Sequence, residues 1–297
     1  MEPLIIEAAV NGESSQRRNP NVPKASAEIS ADALASLAAG AAVIHNHTDQ
    51  RLFGGTGRLD PQLYLDAWAP VLDERPDAIL YPTMAGGREG PIEARYAHFG
   101  ALYEAGVLGM AVADSGTLNL ASRKADGAVV PNSVVYENTP ADIEWMYAWC
   151  RERGVPMHVS IFEPGGLRLV LAHHEAGTLP PGAKIQFYLM GPRSLSGLPA
   201  EPWALDVYLT MLGDADIPWM VGTPGADIGR TELPRIAIER GGHVRVGLED
   251  HYDHTGTRAT PSNAELVAEI VELAASLGRP VATCDQARSL MNPAPVA

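Results

Sequence analysis

Two histidines one residue apart stand at the end of an apolar run near the start of the chain. His45 and His47 lie in the segment 42–48, which contains β-branched residues and follows a turn of small residues at 38–41. This composition predicts a buried strand, and alternate side chains of a strand point to the same face. The two imidazoles are therefore expected to share a face, where they could hold one metal ion such as zinc.

A second polar strand end is predicted near the other end of the chain. The segment 241–250 is a short apolar strand that runs into Glu249 and Asp250, and strand alternation places Arg245 and Glu249 on one face. If this strand end meets the two histidines, two imidazoles and the Glu249 carboxylate form one ligand set. Such a set leaves a coordination position open for substrate or water, as catalytic zinc sites do.

Arg245 needs a partner, because an arginine on an inward strand face is costly unless it is paired. Asp250 or a substrate carboxylate is the expected partner. Both polar strand ends also have structural explanations. Paired strand histidines can hydrogen-bond in a core or line a cleft, and an Arg245–Asp250 pair can simply fill the end of a barrel. We favour a functional role because the pair lies beside the proposed ligand Glu249.

The elements that would bring these strand ends together alternate regularly along the chain. Strands are predicted at 4–10, 42–48, 78–81, 109–113, 157–162, 184–190, 217–221 and 243–246. The helices that follow them are predicted at 30–39, with Ser30 as the cap, and at 62–72, 91–104, 139–153, 165–175, 202–212, 233–240 and 262–277. The stretch between 114 and 138 is predicted to be a long loop.

This alternation, without a composition break that would mark a linker, predicts an α/β fold. We expect one (β/α)8 TIM barrel domain over residues 1–297 with short terminal extensions. An open doubly wound sheet is the competing fold. It would usually carry a nucleotide-binding fingerprint after the first strand, and Asn11-Gly12-Glu13 is not one.

The active site of such a barrel lies at the carboxyl ends of its strands, so residues that follow the strands are candidates for substrate binding. Thr83, Asp114 and Glu163 each follow a predicted strand and could hydrogen-bond a substrate, although each could equally cap the next helix. His158 lies inside the fifth strand. It could be a fourth metal ligand, but we expect a buried residue held by hydrogen bonds.

The glycine-rich loops after the sixth and seventh strands form a weaker signal. Arg193 and Arg230 lie in or near these loops and could cradle phosphate groups, a use that many barrels make of this position. The remaining histidines outside strands are predicted to lie at the surface: His173, His174, His251 and His254.

Composition bounds the class of protein. The chain has 297 residues, 22 of them basic and 36 acidic, and a net charge of −14, which argues against a nucleic-acid partner. Cys150 and Cys284 are its two cysteines, and their spacing indicates neither a disulfide framework nor a zinc knuckle. No segment is long and apolar enough for a membrane span or a signal peptide. We therefore expect a cytoplasmic protein that does not bind membranes.

The sequence resembles a known family, the β-keto acid cleavage enzymes, also called 3-keto-5-aminohexanoate cleavage enzymes. The resemblance covers almost the whole chain, and the segment 241–250 is its most specific part. Further matching motifs lie at 7–12, 45–47, 118–119, 262–267 and 278–283.

The resemblance implies a metal-dependent barrel, with zinc or another divalent first-row ion, that acts on a β-keto acid and acetyl-CoA. The products would be acetoacetate and a new acyl-CoA, formed through a metal-stabilised enolate and a retro-Claisen cleavage. By the family pattern, His45, His47 and Glu249 would bind the metal, and Asp250, oriented by Arg245, would be the base. The resemblance also suggests a homotetramer.

Several positions depart from the family pattern and concern the substrate. Members that take the amino-substituted acid carry an acidic residue where Ser14 stands, so Ser14 as a substrate contact makes an amine less expected, although Glu13 is its neighbour. Asp49 stands where an arginine is usual, Val112 where a threonine is usual and His251 where an asparagine is usual. We therefore expect the reaction class to hold and the acid to differ.

Two other functions remain open from the residues. A metal-dependent amidohydrolase-type barrel also begins with an HxH motif, but on its first strand, and here no suitable lysine follows the fourth strand. A non-catalytic, metal-stabilised barrel could instead bind a small acid or a partner protein. Such a binder would not need Asp250 beside the metal.

Overall fold

The computed structural model describes residues 2–52, 57–86 and 90–291. Its strands are β1 (Ile6–Ala9), β2 (Val43–Asn46), β3 (Ile79–Pro82), β4 (Ala111–Asp114), β5 (Leu118–Asn119), β6 (Ser122–Arg123), β7 (Val129–Val130), β8 (Val135–Tyr136), β9 (Met157–Ile161), β10 (Lys184–Tyr188), β11 (Trp219–Gly222) and β12 (His243–Val246). The predicted domain also includes residues 1, 53–56, 87–89 and 292–297, which lie outside the described residues.

The helices surround these strands. They are α1 (Ser26–Ala39), α2 (Pro61–Glu74), α3 (Ile92–Arg95), α4 (Ala97–Glu104), α5 (Pro140–Arg153), α6 (Pro164–Glu175), α7 (Pro202–Leu212), α8 (Leu233–Glu239), α9 (Asn263–Ser276) and α10 (Cys284–Met291). Within the described ranges, none of them has the length and apolar character needed to cross a bilayer.

Eight strands form one parallel sheet in the order β3-β2-β1-β12-β11-β10-β9-β4. The sheet nearly closes on itself between its two edge strands, where Gly109 N–H donates to the carbonyl of Leu80 at 2.9 Å. A Cβ at Gly109 would lie 2.8 Å from the Leu80 nitrogen, so a glycine is needed for this approach. The fold predicted from the sequence, a (β/α)8 TIM barrel, is confirmed.

The barrel strands are buried on both faces, as expected for parallel strands covered by helices. Side chains that face outward by strand alternation, such as Ile44 and Phe187, join the hydrophobic core beneath the helices. Several inward positions carry charged or polar groups instead. Glu7, His158 and Lys184 are all fully buried, which means that their charges and hydrogen bonds must be satisfied inside the barrel.

Helix starts follow local capping signals where the sequence provides them. Thr139 with Asp142 and Ser262 with Glu265 form reciprocal capping boxes at the starts of α5 and α9. Asp60 caps α2, whose first residue is a proline. The helices predicted after the second, fourth and eighth barrel strands are therefore confirmed.

The predicted start of α1 was wrong. The helix begins at Ser26, one turn before Ser30, and the Ser30 hydroxyl donates to the carbonyls of Ser26 at 2.9 Å and Ala67 at 2.6 Å. Ser30 is therefore buried between α1 and α2. A serine that can cap a helix also fits inside one when its hydroxyl has a partner on a neighbouring helix.

The stretch between β4 and α5 is not an unstructured loop as predicted. It contains two short antiparallel pairs, β5 with β8 and β6 with β7. The helix predicted over 91–104 is divided at Tyr96 into α3 and α4. The first of these differences matters for the site, because the β5–β8 pair carries side chains to the barrel mouth.

Candidate active site

The two histidines and Glu249 meet at the carboxyl ends of β2 and β12. Only β1 separates β2 from β12, so the two polar strand ends lie close together. His45 Nε2 lies 3.3 Å from Glu249 Oε2, and His47 Nε2 lies 3.4 Å from Glu249 Oε1. Among the described residues, these three form one group whose ligand atoms all lie within 4.8 Å of one another.

The spacing of this group fits a metal ion. Zinc binds nitrogen and oxygen at about 2.0–2.1 Å, so neighbouring ligands of a tetrahedral ion lie about 3.4 Å apart. Burial lowers the pKa of His45 to about 3, which keeps its imidazole neutral. Burial works to raise the pKa of Glu249, but the Arg245 guanidinium outweighs it and holds this pKa well below its usual range. Imidazole nitrogens and a carboxylate are donors that suit a divalent cation.

The first loop of the barrel holds this group in place. The Asn11 side chain accepts from His47 N–H at 2.8 Å and donates to the His47 carbonyl at 3.0 Å. Gly12 follows with φ of +51°, and a Cβ there would lie 2.3 Å from Glu249 Cγ. Neither residue has a predicted role from the sequence alone. A buried asparagine before a glycine at a strand end was the available signal.

Arg245 connects the group of His45, His47 and Glu249 to Asp250. Its Nε donates to Asp250 Oδ2 at 2.7 Å and its Nη2 to Asp250 Oδ1 at 3.3 Å, so both carboxylate oxygens are held. The same guanidinium lies 2.8 Å from Glu249 and 3.2 Å from Glu7. Asp250, one of the two partners expected for Arg245, is therefore paired with it in the structure. Burial raises the pKa of Asp250 although Arg245 opposes this change.

These groups line a cavity of about 410 Å³ at the carboxyl ends of the strands. Other lining residues are mainly apolar or aromatic and include Val112, Leu118, Leu120, Tyr136, Phe162 and Met190. Leu118 and Tyr136 come from the β5–β8 pair, which the sequence analysis missed. The Tyr136 hydroxyl donates to the Asp114 carboxylate in the same wall. Burial raises the pKa of Asp114.

The candidate substrate contacts divide into two pairs. Thr83 and Asp114 line the cavity. Ser14 and Glu163 do not, and in the first loop Glu13 reaches the cavity instead. The Ser14 hydroxyl donates to the Glu249 carbonyl at 3.3 Å, and the exposed Glu163 accepts from a backbone N–H at 2.9 Å. The roles of all four residues in substrate binding stay predictions.

His158 is a buried residue held by hydrogen bonds, as expected. Its Nδ1 lies 3.0 Å from Lys184 Nζ and 3.0 Å from the Tyr81 hydroxyl. Burial lowers the pKa of His158 to about 4, so the ring is neutral and Nδ1 accepts from the Lys184 ammonium. The ring proton therefore belongs on Nε2, which has no hydrogen-bond partner among the described residues. Lys184 is in turn paired with Glu7.

The prediction that four other histidines lie at the surface is confirmed for His254 alone, because His173, His174 and His251 are half-buried. The His251 side chain is only 8% exposed and lies 3.7 Å from Asp227. His173 packs against Tyr147. Loops and helix ends that appear polar in the sequence are covered here by neighbouring barrel elements. His254 is exposed, as predicted.

Comparison with known proteins decides the family. A family model described as "beta-keto acid cleavage enzyme" matches residues 3–292. The chain belongs to the β-keto acid cleavage enzymes. It is therefore an enzyme of the β-keto acid cleavage class, in agreement with the resemblance found in its motifs.

The names of two relatives within this class specify different substrates. A 3-keto-5-aminohexanoate cleavage enzyme of Fusobacterium nucleatum is 31% identical over 297 residues, which cover 98% of this chain and 98% of the relative. A 3-oxoadipate:acetyl-CoA acetyltransferase of Cupriavidus necator is 30% identical over 300 residues, which cover 98% and 95% of the two chains.

A solved structure agrees with the fold. It is described as a ternary complex of ObcA with a C4-CoA adduct and oxalate, and it matches this β-keto acid cleavage enzyme with a TM-score of 0.67 at 18% identity. The match covers 92% of this chain and 67% of that chain. At this identity the likeness supports the barrel fold and no shared substrate.

Proposed function

We propose that the enzyme is a metal-dependent acyltransferase that converts a β-keto acid and acetyl-CoA into acetoacetate and a new acyl-CoA. The main observation in support is that Arg245 holds both carboxylate oxygens of Asp250. This pair lies beside the group of His45, His47 and Glu249, which could hold a metal ion. The names of the relatives that use acetyl-CoA support this choice of co-substrate. Zinc is the ion we expect at the ligand group.

The ligand group would supply one part of the chemistry. A divalent cation bound by His45, His47 and Glu249 would draw electron density from the keto and carboxylate oxygens of the substrate and favour loss of a proton from the carbon between them. The protein supplies the base. Asp250 takes this proton, and Arg245 fixes the carboxylate so that it faces the cavity.

The remaining steps balance without a further reagent. The substrate carbanion attacks the thioester carbon of acetyl-CoA, and the CoA thiolate leaves. This thiolate attacks the original ketone carbon, and the bond between that carbon and its neighbour breaks to give the new acyl-CoA. The departing fragment is the acetoacetate carbanion, which takes back the proton held by Asp250.

No cysteine nucleophile takes part in this scheme. Burial raises the pKa of Cys150 to about 12 and that of Cys284 to about 11, so both side chains stay protonated thiols. Neither cysteine lines the cavity. The proposed scheme therefore needs no acyl group on either cysteine.

The cavity indicates a neutral side chain on the keto acid. Among the described residues, Arg245 is the only arginine or lysine in the lining, and its charge already faces three carboxylates. A second carboxylate on the substrate would therefore find no free cationic side chain among these lining residues to pair with. Of the lining carboxylates outside the Arg245 network, Asp114 is buried, which raises its pKa, and Glu13 is exposed to solvent, where ion pairs are weak, so neither is a strong counter-ion for an ammonium group. The apolar wall from Val112, Leu118 and Phe162 suits a neutral chain.

A substrate panel tests this proposal. The purified enzyme with bound zinc is incubated with acetyl-CoA and β-keto acids that carry neutral, cationic or anionic side chains, and acetoacetate is measured. We expect product with the neutral acids at a kcat/KM at least tenfold above that with the charged acids. Absence of acetoacetate with every acid would overturn the reaction. Amide hydrolysis without CoA would instead support the amidohydrolase alternative.

A further inference from the structure

Two arginines converge on one tyrosine beside the active-site cavity. Arg18 Cζ lies 4.8 Å from the centroid of the Tyr252 ring, and Arg193 Cζ lies 5.2 Å from the same centroid. Contacts of this length between a guanidinium and an aromatic ring are attractive. They hold the two cations near each other while leaving N–H groups free to donate.

The charges of these two arginines are not neutralised by the protein. Within the described ranges, no carboxylate lies within ion-pair distance of Arg18 or Arg193, and both residues are exposed. Two neighbouring loop arginines differ in this respect. Arg230 lies 3.4 Å from Asp227, and Arg258 lies 2.7 Å from the same carboxylate. Two unpaired cations on one ring, in a chain of net charge −14, therefore form a local site for an anion.

The three residues lie on one side of the barrel mouth. Arg18 follows β1, Arg193 follows β10 and Tyr252 follows β12, and these strands belong to the run β1-β12-β11-β10. The cavity is lined by residues next to this cluster in the chain, namely Glu13, Ser194 and Asp250. A ligand can therefore contact the cluster and enter the cavity from the same side.

Ser14 connects the cluster to the active site. Its hydroxyl accepts from Arg18 Nη2 at 3.1 Å and donates to the Glu249 carbonyl at 3.3 Å. This contact fixes Arg18 relative to the ligand group. Ser14 thus acts as a positioning residue for Arg18, which agrees with its place outside the cavity lining.

We propose that Arg18, Arg193 and Tyr252 bind the phosphate-bearing nucleotide part of acetyl-CoA. Guanidinium groups bind phosphate oxygens with paired hydrogen bonds, and the Tyr252 ring, which Arg18, Arg193 and His254 contact, holds the two guanidiniums in place for the phosphates. The proposal rests on the proposed function for the identity of the anion. It also orients the two substrates, since the acyl-CoA enters beside β1 and β10 while the keto-acid side chain lies against the opposite wall, at β4 and β9.

The test compares two acetyl donors. Acetyl-CoA carries the phosphates and the adenine, whereas S-acetyl-N-acetylcysteamine carries neither. Replacing Arg18 and Arg193 together by glutamine should raise KM for acetyl-CoA by about 10- to 100-fold, since each lost charge-assisted hydrogen bond is worth about tenfold or more. The rise in KM for the truncated donor should be at least tenfold smaller. Tyr252→Ala should raise KM for acetyl-CoA more than Tyr252→Phe does, because phenylalanine keeps the ring face.

The matched control is Arg168→Gln, which removes an exposed arginine from the outer helix α6. It should leave KM for acetyl-CoA within twofold of the wild-type value. An equal rise in KM for both donors, or an unchanged KM for acetyl-CoA in the double variant, would overturn the proposed nucleotide site. Neither result would contradict the exchange reaction itself.

Direct binding separates this proposal from the reaction itself. Calorimetry with adenosine 3′,5′-bisphosphate should show binding to the wild-type enzyme that the double variant loses by at least tenfold. Inorganic phosphate at the same concentration should bind more weakly, and equal affinity for phosphate would indicate a general anion site and overturn the nucleotide assignment. If the bisphosphate binds but no keto acid yields acetoacetate, the proposed function fails and the nucleotide site survives.

Discussion

At the scale of single residues, a substitution of Asp250 tests catalysis independently of metal binding. Asp250→Asn removes the carboxylate that we propose as the base for the substrate proton but leaves His45, His47 and Glu249 in place. We expect kcat to fall by about 10²- to 10⁴-fold, the range for loss of a general base. Zinc content, measured by metal analysis after dialysis, should remain that of the wild-type enzyme.

The control for this change is Asp66→Asn, at an exposed carboxylate on α2. It should retain both activity and zinc. Exchange at the normal rate in Asp250→Asn would remove the proposed base, and loss of zinc in that variant would show that Asp250 belongs to the ligand group instead.

Arg245 is expected to matter for stability as well as for activity. Arg245→Met leaves the buried Glu7 and Asp250 and the half-buried Glu249 without their shared cation, and removal of one partner from a buried ion pair costs about 3–5 kcal/mol. The free energy of unfolding in denaturant should fall by this order. Arg245→Lys should be less destabilising, but it should still lose most activity because an ammonium cannot hold both oxygens of Asp250. Equal stability of the Met variant and the wild type would contradict this view of the network.

At the scale of elements, closure of the barrel depends on a glycine between β3 and β4. Gly109→Ala would place its Cβ within 3 Å of the Leu80 backbone, which must then move. We expect a loss of about 1–3 kcal/mol in the free energy of unfolding, as for overpacking in a core.

Gly100→Ala gives the contrast. Gly100 lies inside α4, and the space that an added methyl group would fill has no other atom within 4 Å. Alanine there should leave stability equal or raise it by about 0.5–1 kcal/mol. If Gly109→Ala and Gly100→Ala change the free energy of unfolding equally, the close contact of Gly109 with Leu80 is not what requires a glycine at position 109.

Asp32 makes the contact between α1 and α9 dependent on pH. Burial raises the pKa of Asp32 to about 6 from 3.8, although Asn263 donates to its carboxylate at 2.8 Å. The folded state therefore holds this proton more tightly than the unfolded state. Stability due to Asp32 is present below about pH 4 and is lost as the pH rises to about 6, by an amount on the order of 3 kcal/mol.

Asp32→Asn removes this titration. The variant should be about as stable as the wild type near pH 4 and more stable than it above pH 6, as measured by urea unfolding at each pH. Asp66→Asn, at an exposed site, should follow the wild-type curve. Parallel curves for Asp32→Asn and wild type would show that the Asp32 carboxylate is not desolvated in the folded state.

At the scale of the whole molecule, binding of the metal is expected to stabilise the fold. The proposed ligands come from β2 and from the segment after β12, which are close in the barrel but distant in sequence. Zinc that binds only the folded chain adds about 2.7 kcal/mol at a free concentration of 100 times Kd. Thermal unfolding of the wild type should therefore shift upward with zinc and return to its metal-free value with a chelator.

His47→Ala should lose this shift, because it removes one ligand. His174→Gln, a histidine on α6 outside the ligand group, should keep it. An equal shift in His47→Ala and in the wild type would place the zinc elsewhere on the protein.

The sequence by itself determined the barrel and the composition of its site. Strand–helix alternation and helix capping depend on residues that are close in sequence, so they predict strands and helices before any packing is known. The same holds for His45 and His47, which share a face through strand alternation, and for Glu249 and Asp250, which end the last strand. Eight parallel strands then bring their carboxyl ends to one face.

Only the tertiary structure decided which side chains meet across long separations in sequence. It placed Glu13 rather than Ser14 in the cavity, and it paired Lys184 with Glu7 beneath the site. It also brought Arg18 and Arg193 to one tyrosine. No local pattern encodes these contacts, because they depend on how loops from different strands pack and on which buried charges need a partner.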